Sequence, residues 1–360
     1  MSQIDKTLIR DADLLDELEK ARDSLMFKAT LSFVTSTQQR RDTESATQAA
    51  RAQKLATMPR DTRRRAIIRE VFENALPTRK DLRHIHSTLA ICGLPYTRQP
   101  IGVREYRSKQ GDMSLMVQAG QLLSPDDEWV PQPLPYGSRA RLLLLHLCSQ
   151  ALHQQSPTIE IEDSVTAFVR AMGFSDSGGL RGDLTAFKQQ LNALAACTLR
   201  IGVANGLKAR TVTTTPFSAI DVWFPTNPNQ RILWPSTITF SREFFDTLSR
   251  HALPANMHAV RAFAGSPRKL NLYFWLIYRL NVTQTPLRIT WAGVKAQFGS
   301  GYARERDFRR SFAEDVAHLK QVFPRLQLAF DDDGLTLLPA SPEILAVPTP
   351  AAIRKLAKKQ

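Results

Sequence analysis

Four arginines, Arg304, Arg306, Arg309 and Arg310, fall within seven residues. A guanidinium is always charged and presents a planar fork of donors, which suits bidentate recognition of guanine or phosphate. Arg306 and Arg310 are four apart, so a helix puts them on one face. Phe308, Phe312, Val316 and Leu319 make an apolar stripe for the opposite face. Such a helix packs inward and reads outward. Glu305, Asp307, Glu314 and Asp315 share the stretch, and ion pairs along the helix are the alternative use of its arginines. A second stretch has the same build with other chemistry. Leu184, Phe187, Leu191 and Leu194 form its stripe, while Thr185, Lys188, Gln189 and Asn192 lie outside it. Gln and Asn pair bidentately with adenine, and Lys reaches guanine or phosphate. Arg181 stands in the glycine-rich turn just before, a place for a phosphate contact.

Two β-like pairs of runs follow these stretches. "CTLRIGVANGLKARTVTTT" turns at Asn205-Gly206 and carries Arg200, Lys208 and Arg210, which fit phosphates. "RLQLAFDDDGLTLLPA" turns at Asp333-Gly334 and carries Asp331, Asp332 and Asp333, which phosphates repel. The second tip therefore stays off a nucleic-acid backbone or meets a protein.

Signatures of other chemistry are missing from the sequence. No G-x-x-x-x-G-K-[ST] or G-x-S-x-G occurs. His84 and His86, two apart in an expected helix, do not face one metal together. Cys92, Cys148 and Cys197 are widely spaced and read as small buried apolar residues. We expect no catalytic residues, no metal site and no cofactor, hence no enzyme.

The elements that position these residues recur in one order. Long apolar helices open at Ser138 ("SRARLLLLHLCSQALHQ") and Ser266 ("SPRKLNLYFWLIYRLN"), 128 residues apart. Short β-like runs follow, "TIEIE" and "LRITW", then helices "DSVTAFVRAMGF" and "AGVKAQFG". Glycine-bearing turns lead to the third helices, Asp183–Ala196 and Asp307–Phe323, and then to the hairpins. Helix, strand, helix, turn, helix, hairpin is the winged-helix order. Two copies suit DNA, which offers successive major grooves. Residues 93–136 read as a small sheet leading into the first copy. Residues 1–75 are polar and partly helical, with Thr35 to Thr47 expected to be flexible. Arg51 to Arg83 holds ten basic residues against four acidic ones, either a phosphate-touching arm or a solvated helix face.

The composition agrees with a polyanionic partner. The 360 residues include 48 Lys+Arg and 34 Asp+Glu, a formal net charge of +14, with 43% hydrophobic residues to build cores. No apolar run is long enough to span a bilayer, so the expected location is the cytoplasm.

The blocks "CGLPYTRQP", "PYGSRARLLLLHL", "GGLRGDLTAFKQQLNAL", "ITFSREFFDTL", "RKLNLYFWLIYRL" and "ITWAGVKAQFG" run in order from Cys92 toward Pro342, about two thirds of the chain. In these blocks the chain resembles plasmid-encoded RepA-type replication initiators. The resemblance implies binding to iterons in double-stranded origin DNA, help in melting the origin, and host partners: the replicative helicase and DnaA. It also implies repression of its own gene and a homodimer as the inactive or repressing form. The expected fold is α+β and mainly helical. A helical or flexible extension spans 1–80, a first winged-helix domain 81–235, a second 236–342, and a basic tail 343–360. A transcriptional repressor is the alternative within DNA binding. A nicking enzyme or primase, and a scaffold on membrane or RNA, are the alternatives outside it.

Overall fold

The structure, a computed structural model, describes residues 9–74, 78–175, 182–220 and 237–347. The chain is mixed α and β, with twelve α-helices among the described residues. It divides into two compact units, residues 1–63 and 64–360.

In the first unit, α1 (Ala12–Lys20) packs on α2 (Phe27–Thr57). Leu14 and Leu18 meet Ile9 and Val34 in a small core. The buried Gln38 side chain accepts the backbone N–H groups of Arg10 and Asp11, both at 3.1 Å. Arg41 pairs with Asp11 at 2.6 Å and Asp13 at 2.8 Å. The stretch Thr35 to Thr47 is not flexible: it is the middle of α2. Its polar residues include strong helix formers such as Gln, Arg and Glu, with no Gly or Pro to interrupt them.

The second unit opens with α3 (Arg60–Asn74), most of which belongs to it, then β1 (Leu82–His86) and α4 (Ser87–Cys92). Four strands follow: β2 (Glu105–Gln110), β3 (Met113–Gln118), β4 (Gln121–Leu123) and β5 (Trp129–Pro131). Next come α5 (Gly137–Gln154), β6 (Thr158–Glu160), α6 (Glu162–Ala171), α7 (Asp183–Ala196), β7 (Thr198–Asn205) and β8 (Lys208–Thr214). After β9 (Phe217–Ile220) and β10 (Thr237–Phe240) come α8 (Arg242–His251), β11 (Ala252–Asn256) and α9 (Met257–Phe263). The last group is α10 (Pro267–Val282), β12 (Leu287–Thr290), α11 (Trp291–Phe298), α12 (Glu305–Val322), β13 (Leu328–Phe330) and β14 (Gly334–Leu337).

Thus the order helix, strand, helix, helix, hairpin occurs from α5 to β8 and from α10 to β14. The sheets close differently. In the later group β12, β14 and β13 pair with one another. In the earlier group β6 pairs with β10, and the β7–β8 hairpin instead joins β3 and β2 in a four-stranded sheet. Of the strands ahead of α5, β2 and β3 therefore belong with this first hairpin, or wing, while β4 and β5 pair with each other. Short strands of similar pattern choose partners by long-range packing, which local alternation does not encode.

α5 and α10 touch each other and are buried on nearly all sides: Leu142 to Leu145 in one, Leu272 to Ile277 in the other. A helix apolar all round is one surrounded by protein. Beside them β1 and β11 pair antiparallel, from Leu82 opposite Asn256 to His86 opposite Ala252. Each strand runs straight into a short helix and its last residue caps that helix. His86 Nδ1 accepts from Thr88 N–H at 3.2 Å, and Asn256 Oδ1 accepts from His258 N–H at 2.9 Å. Each strand is also tied to one central helix. Ser149 Oγ of α5 accepts His84 N–H at 2.7 Å, and Tyr273 OH of α10 accepts Asn256 N–H at 3.0 Å. His84 and His86 are thus in a strand, not a helix, because their partners, Pro254 and Ala252, lie 170 and 166 residues away. Burial pushes the His86 imidazole down to about 4, so it is neutral.

Candidate nucleic-acid interface

The helix-turn-helix of the later group is built on aromatic packing. Phe298 at the end of α11 and Phe308 and Phe312 on α12 are fully buried, with Phe298 also edge-on to Trp275 of α10. Thr290 Oγ1 caps α11 by accepting Gly293 N–H at 3.2 Å. The turn passes through Gly301 at φ +90°, a value L-residues avoid. Lys295 Nζ closes the turn by donating to the Ala303 carbonyl at 3.0 Å. Arg268, near the start of α10, clamps α12 from behind. It pairs with Asp315 and donates to Ser311 Oγ at 2.6 Å and to the Ser311 carbonyl at 3.1 Å. Its guanidinium lies 5.1 Å from the Tyr302 ring. Asp315 is therefore a buried structural partner, not a charge on the outer face.

This packing leaves Arg304, Arg306 and Arg310 exposed, with Arg306 and Arg310 one turn apart on α12. Arg309 is engaged elsewhere. It pairs with Glu305 and lies 4.8 Å from the centre of the Trp291 ring. Four neighbouring arginines thus divide into three that face solvent and one that locks α12 to α11.

The acidic tip of the β13–β14 hairpin is also structural. Asp331 Oδ1 accepts the backbone N–H groups of Asp333 at 3.0 Å and Gly334 at 2.8 Å, an Asx-type turn. Arg288 on β12 pairs with Asp331 at 2.9 Å and Asp333 at 2.8 Å, offsetting the charge that the sequence places there.

In the earlier group α7 is packed on a similar plan with other residues. On α7, Phe187, Leu191 and Leu194 are buried and Leu184 packs against them. Arg139, near the start of α5, pairs with Asp183 at the first turn of α7 and lies 5.4 Å from the Phe174 ring and 5.9 Å from that of Phe187. Arg139 and Arg268 hold matching places in their groups. The sequence signal for both was available, an Arg near the start of each long apolar helix, but the partner acids sit at different turns. Of the outward set, Gln189 is exposed, whereas Thr185, Lys188 and Asn192 are half-buried. Burial pushes the Lys188 amine down to about 8. The adjacent Gln190 is buried and accepts the Tyr136 backbone N–H at 2.8 Å. Arg181 lies outside the described residues.

The first wing does not gather its cations on one face. Residues directly paired across an antiparallel ladder point the same way. Leu199 and Ile201 are buried, so their side of β7 faces the core. Lys208 pairs with Asn205 and Arg210 with Val203, which puts both on that side, beyond the end of the core. Arg200 pairs with Thr213 and Met116 and lies on the opposite side, with its guanidinium 3.5 Å from Met116 Sδ. The turn itself is Gly206-Leu207, one residue later than the Asn-Gly signal indicates. The basic stretch ahead of these groups also has a packed member: Arg65 is 5% exposed and its Nε donates to Gln321 Oε1 at 2.8 Å.

Among the described residues, no helix is long and apolar enough to cross a membrane, and no group of three His, Cys, Asp or Glu is placed to hold a metal ion.

Comparison with known proteins gives three findings. No curated protein matches the chain significantly. Solved structures with a similar arrangement include the crystal structure of domain 2 and domain 3 of RctB, with a TM-score of 0.43 and 10% identity, covering 70% of this chain and 98% of that one. A second crystal structure of RctB domains 2–3 has a TM-score of 0.43 and 8% identity, covering 77% and 99%. At that level the likeness decides nothing further. Residues 134–291 match the family described as plasmid encoded RepA protein. The matched stretch runs from the loop ahead of α5 to the first residue of α11.

Proposed function

We propose that this protein is a plasmid replication initiator that binds repeated double-stranded sites at an origin through two winged-helix modules, α5 to β8 and α10 to β14. The observation that carries the reading is the outer face of α12. Arg306 and Arg310 stand exposed on the second helix of a helix-turn-helix, while Phe308 and Phe312 lock its inner face. That is the arrangement by which a helix presents side chains to the major groove. The match of residues 134–291 to the plasmid-encoded RepA family favours a plasmid origin as the DNA. The net charge of +14 supplies the sequence-independent attraction to phosphate.

In this reading α7 and α12 are the recognition helices, and the chain performs no catalytic step. Origin opening follows from binding energy, and the host replicative helicase and DnaA are the protein partners. A homodimer is the repressing form. The test is footprinting on the cognate plasmid at several salt concentrations. Direct repeats spaced by about two turns of B-DNA, protected on one face, support the reading. Protection that is absent, or indifferent to sequence, overturns it.

A further inference from the structure

The turn of the β7–β8 hairpin has a feature that phosphate binding does not use. Gly206 sits at φ +59°, closing a two-residue turn between the paired Asn205 and Lys208. This projects the next residue, Leu207, outward at 107% relative exposure. Turn tips ordinarily carry Gly, Asn, Asp or Ser, each for its backbone conformation or hydrogen bonding. A leucine supplies neither. The hairpin behind it is paired throughout: β7 and β8 run from Leu199 opposite Thr214 to Asn205 opposite Lys208, and β3 and β2 extend the sheet beside them. Exposed Lys208 and Arg210 follow on one side of the hairpin. The other hairpin offers the contrast, since two of the three aspartates at its tip, Asp331 and Asp333, pair with Arg288, and Asp331 also accepts backbone N–H groups of the turn.

An apolar side chain on a cationic projection is the device by which minor-groove proteins unstack a base step. We propose that Leu207 is a wedge that enters the minor groove and inserts at a base step, with Lys208 and Arg210 holding the neighbouring phosphates. The proposal rests on the DNA-binding reading above and adds a deformation of the duplex to it. The preferred step is pyrimidine–purine, TA or CA/TG, because these unstack most easily. Asp112, in the turn between β2 and β3, is an acid beside the tip; its backbone carbonyl accepts Ala204 N–H at 2.9 Å. Phosphates therefore approach from the side of Lys208 and Arg210.

The experiment uses the full chain and a duplex enriched by the wild-type protein from a random-sequence library. 2-Aminopurine is placed at successive steps of that duplex, and fluorescence and gel-shift bending are read with wild type, Leu207→Ser, Leu207→Ala and Leu207→Met. The wild type brightens the probe at one step and bends the duplex. Leu207→Ser and Leu207→Ala lose the brightening and most of the bend, Leu207→Met keeps both, and the salt slope is unchanged in all. Far-UV circular dichroism and urea unfolding check that this exposed position leaves the fold intact. Brightening and bending equal in wild type and Leu207→Ser overturn the wedge while leaving the DNA-binding reading standing. Failure to enrich any duplex overturns that reading, and the wedge with it.

Discussion

The two helix-turn-helix groups share a plan and divide its parts differently. In the later group α12 carries exposed cations, Arg306 and Arg310, and the β13–β14 tip is acidic, with Arg288 offsetting part of its charge. In the earlier group the β7–β8 hairpin carries exposed cations, Lys208 and Arg210, and the lysine of α7 is half-buried with a lowered pKa. In the proposed DNA-binding reading, one group reads through its helix and the other grips through its hairpin. The clamps differ as well. Arg268 and Asp315 are nearly buried, with side chains 12% and 9% exposed, whereas Arg139 and Asp183 are 35% and 24% exposed. The difference teaches that a repeated element order fixes where a charge can sit, not what it does there.

The largest expected effect tests the clamps. Arg268→Ala leaves the Asp315 carboxylate buried without its main partner and costs about 3–5 kcal/mol in urea unfolding. Arg139→Ala breaks a pair that solvent already screens and costs about 1 kcal/mol. Equal losses would abolish the distinction. Next come the helices. Arg306→Ala and Arg310→Ala each weaken binding to a specific duplex by about 1–3 kcal/mol if each holds a base, and relax preference at that position. Arg309→Ala instead lowers stability, because Arg309 packs on Trp291 and pairs with Glu305. An affinity loss for Arg309→Ala matching that of Arg306→Ala would erase the division among these arginines.

Smaller effects separate the wings. Lys208→Ala with Arg210→Ala lowers the salt slope of binding by about two counterions, with sequence preference unchanged. Arg200→Ala lowers it less, because the pleat turns Arg200 to the other side of the sheet. The same slope change from Arg200→Ala would return all three cations to one face.

The smallest effect depends on pH. Lys188 in the fold loses its proton near pH 8, against 10.5 for an ordinary lysine. The unfolded chain therefore binds the extra proton between those values. Its contribution to stability rises as pH climbs from about 8 toward 10.5, while its attraction for phosphate fades over the first part of that range. Titrations at pH 7 and pH 9 show weaker binding at the higher pH in the wild type, and a flatter profile in Lys188→Arg. Equal profiles would remove Lys188 from the interface.

Much of this was legible locally. Asp183–Ala196 is a helix with the bounds its stripe indicates, and α12 differs from its expected Asp307–Phe323 by two residues at one end and one at the other. Amphipathic spacing is a property of the helix itself, so the chain declares it. Thr35 to Thr47 reads as flexible in the sequence because polarity resembles disorder when the tertiary partner is unknown, here Arg10, Asp11 and Asp13, which Gln38 and Arg41 bind. His84 and His86 were misread because a five-residue strand is defined by its partner, β11.

The sequence by itself determined the element order, the inner stripes of α7 and α12, the basic balance and the RepA resemblance. All of these are written in residue types and short spacings. The tertiary structure alone decided that Arg309 and Asp315 turn inward, that Arg288 offsets the acidic wing, and that Arg200 parts from Lys208 and Arg210. The reason is physical. A charged side chain takes its role from the desolvation, the partner and the strand register it meets, and those come from residues far away along the chain.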